Sequence, residues 1–549
     1  MRKRRILIAN DAHWLGTGYA VYGKELLTRL HKTGKYEIAE LCCYANKEMC
    51  SNVTVPWKLY PNVVSKDQPE ELKQRFSSTP TNAFGMWNFD RALIHFKPDI
   101  VFDMRDHWMY VFQETNLLRP FYKWVVMPTV DSAPQSKEWL HTFANMDCVI
   151  PYTKWAHKTL QSQCRSTINL FPHIANAGVD LDIFKPSEDK KELKKRLFQN
   201  ENASITGCVL RNQKRKLIPN ILKCYKAYLN RLLEEDNIEL YNNSYLYLHT
   251  THPEISGWDL PSLLLEFELL DKTIFTTCCT KCGSTYPSKF HEGKIVCVSC
   301  QEFGAILPSV SHPVPTEVLT QIYQSFDLFL QVAICEGFGM PQVEAAACGV
   351  PIASVDYSAM SEIVENLEGY KIPLRTMFRE LETGADRALP DDVALTGIIY
   401  NFFKMSDSEK AEKSTRTRKL CELHYSWDKV AEVWDMALSS VDISDNLSWD
   451  IPARTIDATK KVPKGLGVSE FVDFIILELI QEPWLLTTAM VIKIKKDLAN
   501  GFSTIGERGQ VTHQTTISIL EKIMLIKSSV ESVRTNPIEH FKKTGFDYE

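Results

Sequence analysis

Short β-branched runs alternate with amphipathic stretches along most of this chain, and that alternation limits the available folds more than any other feature of its 549 residues. In the first third, strand candidates lie at 5–9, 38–44, 99–103, 124–127 and 148–151. Val21, Leu26, Leu27 and Leu30 follow the first of them at helical spacing. The rhythm resumes at 205–210, 245–248, 273–276, 328–331 and 351–355. Repeated strand–helix units bury their strands in a parallel sheet covered on both faces. The charged run 186–196 between the halves suits an exposed linker and a short helix. The pattern predicts an α/β chain of two doubly wound domains, 1–185 and 186–435, facing a cleft. Residues 446–466 are polar and contain prolines, and 440–549 reads as a helical extension with no chemical motif.

The formal net charge is −5, so no overall basic field marks a nucleic-acid binder, although a local patch stays open. Fifteen cysteines is an odd number for a disulfide framework. The opening MRKRRILIAN has an apolar run far shorter than a secretory signal needs. The longest apolar stretch, 471–494, is broken by Asp473, Glu478, Glu482 and Pro483, so no membrane span is expected. These features suit reduced or metal-bound thiols in a cytoplasmic setting, the host cytoplasm if the chain is viral.

The segment Cys335-Glu336-Gly337-Phe338-Gly339-Met340-Pro341-Gln342-Val343-Glu344 carries the most chemistry. A strand runs into a glycine-rich turn, and a helix begins near Pro341, a favoured residue at the first helical position. Free N–H groups at that helix start can bind an anion or hydroxyl, and glycines admit a ligand to the main chain. Glu336 and Glu344 stand on either side of the turn and can address two ends of one ligand. The run resembles the E-x7-E signature of the family 4 retaining glycosyltransferases, which have the GT-B fold of two Rossmann-like domains. The resemblance implies that Glu336 contacts the transferred sugar and Glu344 the ribose of a nucleotide-sugar donor. Gly337, Phe338, Gly339 and Met340 would turn their amides to the sugar.

Three more segments match that family in order. Asp11-Ala-His13-Trp-Leu-Gly16-Thr-Gly18 looks like its first-domain glycine loop, implying donor-side roles for Gly16 and Gly18. Asn176-Ala-Gly178-Val179-Asp180, with Phe184 and Pro186, resembles its interdomain segment. In Gly207–Lys216 the family places an Arg and a Lys on the donor diphosphate; Arg211 and Lys216 fit, with Lys214 and Arg215 as rivals. Such cations would stabilise the departing diphosphate with no obligatory catalytic metal. One departure stands out. Many members carry a His after a first-domain strand, whereas Trp124–Ser132 has none, leaving Asp131 as the nearest polar candidate. His107, in Arg105-Asp106-His107-Trp108, is a second candidate on the acceptor side.

Cys279-x2-Cys282-x14-Cys297-x2-Cys300 is the other strong signal. Two such pairs read as a tetrahedral, four-thiolate structural Zn²⁺ site in a zinc-ribbon insert, 277–303, with Cys278 and His291 as weaker alternates. This insert lies outside the family pattern.

The expected activity is retaining transfer of a hexose or pentose from a UDP-, GDP- or ADP-linked sugar to a glycan or glycoconjugate. The ribbon, the absent His and the extra helical region point to a sharper alternative, and the style of 311–331 resembles glycosyltransferases of tailed-phage genomes. Hydroxymethylated bases in DNA are therefore an alternative acceptor, and a catalytically inactive binding scaffold is the alternative of another class.

Overall fold

The computed structural model describes residues 2–446 except 117, 165, 166, 310 and 311, together with 449, 470 and 473. The expected helical extension thus falls mainly outside the described residues.

The first domain is built on six parallel strands: β1 (Arg4–Asp11), β2 (Tyr36–Cys43), β3 (Lys58–Pro61), β4 (Ile100–Asp103), β5 (Lys123–Val126) and β6 (Cys148–Val149). Their order across the sheet is β3-β2-β1-β4-β5-β6. Ile6 of β1 faces Ile38 on one side and Ile100 on the other, and residues from Ile6 to Asp11 are buried. That burial explains why β1 reads as an apolar run and not as an alternating one. Helix Gly18–Lys32 follows it, capped by the Thr17 hydroxyl, which accepts from the Ala20 N–H.

The second domain contains β7 (Ser204–Val209), β8 (Ser244–His249), β9 (Thr273–Cys279), β10 (Thr285–Ser288), β11 (Ile295–Val296), β12 (Phe303–Ile306), β13 (Leu328–Gln331), β14 (Ile352–Val355) and β15 (Tyr370–Ile372). The order is β11-β12-β9-β8-β7-β13-β14-β15, with β10 also on β9. The run from β9 to β15 is parallel, whereas β10 and β12 add to β9 antiparallel. A hairpin of β16 (Leu374–Arg379) and β17 (Asp386–Pro390) lies off the sheet.

Sheet order reverses direction between β1 and β4 in the first domain, and between β7 and β13 in the second. Loops diverge at such points and open a crevice at the carboxyl ends of the strands. The two crevices face each other, as the contacts below show.

At the back, the chain returns to its start. Helix Trp427–Ser440 packs on helix Gly18–Lys32, where the Trp434 indole donates to the Tyr22 hydroxyl at 2.9 Å. The Val179 N–H donates to the Tyr425 carbonyl at 3.0 Å. A side chain on Gly178 would lie 2.4 Å from the Trp427 backbone nitrogen, so glycine is required there. Residues of both domains share one apolar cluster around Tyr22, Phe338 and Trp434. Among the described residues no helix is long and apolar enough to cross a membrane.

Candidate functional site

β13 ends at Gln331, and the following loop carries Glu336 to the second-domain switch point. Helix Met340–Ala347 begins after Gly339, whose φ of +89° favours a residue without Cβ. Gly337 lies against the first domain: a Cβ there would be 2.3 Å from Thr129 Cγ2. Phe338 turns inward and stacks on Tyr152 of the first domain, centroids 5.0 Å apart. The turn therefore spans the cleft between the domains.

Glu336 is 6 % exposed and surrounded by donors. Lys216 bonds Oε1, Arg215 reaches Oε2 at 2.9 Å, and Gln331 Nε2 donates to Oε1 at 3.0 Å. Burial alone would raise this carboxyl, but the two cations outweigh it and hold it at about 2. Burial lowers Lys216, with Glu336 opposing, while Glu336 raises Arg215. The Arg215 carbonyl also accepts from the Ile334 N–H at 2.9 Å, joining the loops after β7 and β13. The partner of Lys216 on Glu336 is Arg215, one of the two rivals. Arg211 instead pairs with Glu254 at 3.0 Å and is half exposed.

Glu344 sits on the second turn of the helix, and the Tyr323 hydroxyl donates to its Oε2 at 2.6 Å. Burial raises its carboxyl. Gly18 faces Met340 Sδ at 3.6 Å and Gly16 faces Pro313 at 3.6 Å, so the first-domain glycine loop meets the glycine-turn helix. His13 is withdrawn from the cleft by its 2.7 Å bond to Glu40.

Asp131 bridges the domains. Its Oδ1 meets Arg387 at 3.0 Å, and its Oδ2 accepts from the Cys335 thiol at 3.2 Å. His107 points away, bonding Thr142 at 3.0 Å and stacking on Trp139; burial lowers it to about 4. Its neighbour Asp106, passed over in the sequence, accepts from Tyr19 and Thr129 and feels both Asp131 and Arg215. Burial, the largest influence, raises its carboxyl to about 6. The available signal was position: Asp106 follows β4, one side of the first-domain switch point.

Residues 309–389 match the family model described as glycosyl transferases group 1. One curated relative is the GtfA subunit of the UDP-N-acetylglucosamine–peptide N-acetylglucosaminyltransferase of Streptococcus agalactiae. It is 29 % identical over 123 residues, and the chain spans 22 % of that relative's length, using 22 % of its own. Among solved structures, sucrose-phosphate synthase from Thermosynechococcus elongatus superposes with a TM-score of 0.56 at 14 % identity, over 80 % of this chain and 98 % of that one. The Anabaena protein HepE in complex with UDP gives 0.52 at 13 %, over 80 % and 100 %. The chain has a GT-B fold, and its second domain contains the segment similar to glycosyl transferases group 1. The matched segment contains Glu336, the glycine turn, Glu344 and Arg387.

Beyond that pattern, the chain holds four sulfurs at the edge of its second sheet. The Sγ atoms of Cys279, Cys282, Cys297 and Cys300 lie within 4.8 Å of one another. Cys279–Cys300 is 3.7 Å and Cys282–Cys297 is 3.8 Å, too long for disulfides. Four thiolates at about 2.3 Å from a tetrahedral ion would sit about 3.8 Å apart. The two knuckles repeat one geometry. The Lys281 N–H points at Cys279 Sγ and the Ser299 N–H at Cys297 Sγ, at 3.4 and 3.3 Å. Gly283 and Gln301, each following the second cysteine of its pair, share positive φ values of 73° and 60°. The group could hold a metal ion. Cys278 is turned away toward the carbonyls of Ile306 and His312, and His291 bonds Thr277.

Proposed function

We propose that this protein is a retaining glycosyltransferase that takes a sugar from a UDP-linked donor and passes it to a hydroxyl of a glycan or glycoconjugate. One observation carries the reading: a buried carboxylate, Glu336, kept ionised by Lys216 and Arg215 beside a glycine turn and a helix start. Glu336 accepts hydroxyls of the donor sugar, and the amides from Gly337 to Met340 lie along it. Glu344 takes the ribose. Lys216 and Arg215 are close enough to Glu336 to address both the sugar and the diphosphate, with Arg211 at the outer edge. Charge grows on the leaving phosphate as the glycosidic bond breaks, and fixed cations that need not reorganise stabilise it. The acceptor attacks from the face the phosphate leaves, and a phosphate oxygen receives its proton. UDP is chosen because HepE and the trehalose-6-phosphate protein of Escherichia coli are described with UDP and UDP-2-fluoro glucose.

The four-cysteine group is read as a structural Zn²⁺ site. Four thiolates fill a tetrahedral shell and leave no open position for chemistry. Its place at the end of β9 ties down β10 to β12, which have little core of their own. Reduced thiols fit a cytoplasmic location.

The test is nucleoside diphosphate release from UDP-, GDP- and ADP-sugars, pentoses included, with glycan acceptors and with hydroxymethylated DNA. Release from a UDP-sugar, lost in Glu336→Gln, supports the proposal. Stimulation by DNA alone would transfer the acceptor to the phage-type reading, and silence throughout would favour an inactive scaffold.

A further inference from the structure

The turn after β14 brings Ser358 against the main chain of Glu336. Ser358 is fully buried. Its hydroxyl accepts from the Glu336 N–H and donates to the Glu336 carbonyl, both at 3.1 Å. One side-chain oxygen thereby fixes both polar groups of a single residue's backbone. The position is also strained: Ser358 has φ of +52°, a region where a Cβ is unfavourable and glycine is at ease. Neighbouring bonds keep it there. The Tyr357 hydroxyl donates to the Asp386 carbonyl at 2.6 Å. From the same strand, Ser354 donates to Gln342 Oε1 at 3.0 Å, and the Gln342 amide donates to the Phe338 carbonyl at 2.9 Å. β14 and its loop thus brace the glycine turn at two points.

We infer that Ser358 is a positioning residue whose hydroxyl clasps the Glu336 backbone and aims its carboxylate at the donor sugar. The inference rests on the donor-site reading of Glu336. Were packing the only demand, glycine would serve better at this φ, since it removes the strain. What glycine lacks is the hydroxyl. A strained residue kept by its surroundings beside a buried charged group is the pattern expected where geometry is held for chemistry.

Ser358→Gly separates the two roles. This variant and Ser358→Ala both lose the two buried bonds, but only glycine also relieves the strain, so Ser358→Gly should melt above Ser358→Ala. Its kcat/KM for UDP-sugar turnover should fall about tenfold or more, chiefly in kcat. Ser358→Ala keeps the strain and loses the hydroxyl, so it should lose activity to the same extent and melt lower than Ser358→Gly. Amide hydrogen exchange over residues 333–340 should quicken in both variants, because the Glu336 N–H loses its acceptor. Wild-type kcat together with unchanged exchange in Ser358→Gly would overturn the inference. Glu336→Gln is measured alongside: if that variant keeps full turnover, the donor-site reading has failed, and exchange alone then decides whether Ser358 holds the turn.

Discussion

Asp131 of the first domain and Arg387 of the second meet across the cleft, with 3.0 Å between Oδ1 and Nη1. Arg387 is 6 % exposed and also grips Glu380 at 2.7 Å, so the hairpin of β16 and β17 is pinned to the opposite domain. The Asp386 N–H adds a backbone bond to the Ala133 carbonyl at 2.9 Å. If Asp131 acts through this pair, Asp131→Asn and Arg387→Gln should lower kcat/KM to similar extents. The double variant should then be no worse than the poorer single one, with a coupling of about 1–2 kcal/mol. Steady-state kinetics on the full cycle checks this; additive losses would mean that Asp131 and Arg387 act separately.

The contact between Gly337 and Thr129 leaves no room for a methyl group. Gly337→Ala should force the turn off the first domain, lower kcat/KM about a hundredfold and lower Tm. Thr129→Ser deletes Cγ2, the atom 2.3 Å from the added Cβ, and keeps the hydroxyl that meets Tyr19. The combined variant should therefore regain most of the lost activity. Failure to recover would locate the damage within the turn itself.

Asp106 and Glu336 should respond to pH in opposite senses. A carboxyl raised on folding stabilises the protein in acid and loses that contribution as pH climbs, for Asp106 through about 6. Asp106→Asn should thus be more stable than wild type near pH 8, by at most about 3 kcal/mol, with the difference shrinking toward about pH 4. Glu336 is held at about 2, below its ordinary 4.5, so its contribution is complete above that ordinary value and lost as pH falls toward 2. Thermal unfolding of wild type against Asp106→Asn across this range tests the first sign, and of wild type against Glu336→Gln the second. A constant offset between the curves would show that Asp106 does not change its protonation on folding.

Cys297 is fully buried and belongs to the sulfur cluster. Cys297→Ser should abolish stoichiometric zinc, measured by elemental analysis, and lower Tm, since metal-binding energy is folding energy for such a segment. Retention of one equivalent of zinc would exclude Cys297 as a ligand.

The strands that carry the site were legible because burial on both faces leaves a dense apolar run, as in β1, β7 and β13. β3 was not, being four residues that end in Pro61, nor was β16, whose residues from Arg375 to Arg379 are exposed and give no core signal. Glu336 and Glu344 stood out as candidates because their turn chemistry is local in sequence. Ser358 and Arg387 did not, because each matters through a bond to a residue brought near by the fold. Arg215 and Lys216 illustrate the limit: adjacent cations look alike in a string, and only the loop shape shows which of them, with or without Arg211, meets the carboxylate.

The returning helix has a consequence for biosynthesis. Tyr22 and its partner Trp434 are 412 residues apart, so at about 5–20 residues per second the apolar face of helix Gly18–Lys32 waits roughly 20–80 s on the ribosome for its cover. The first domain is thus the earliest made and among the last completed, and nascent chains stalled before residue 427 should be the ones that recruit chaperones.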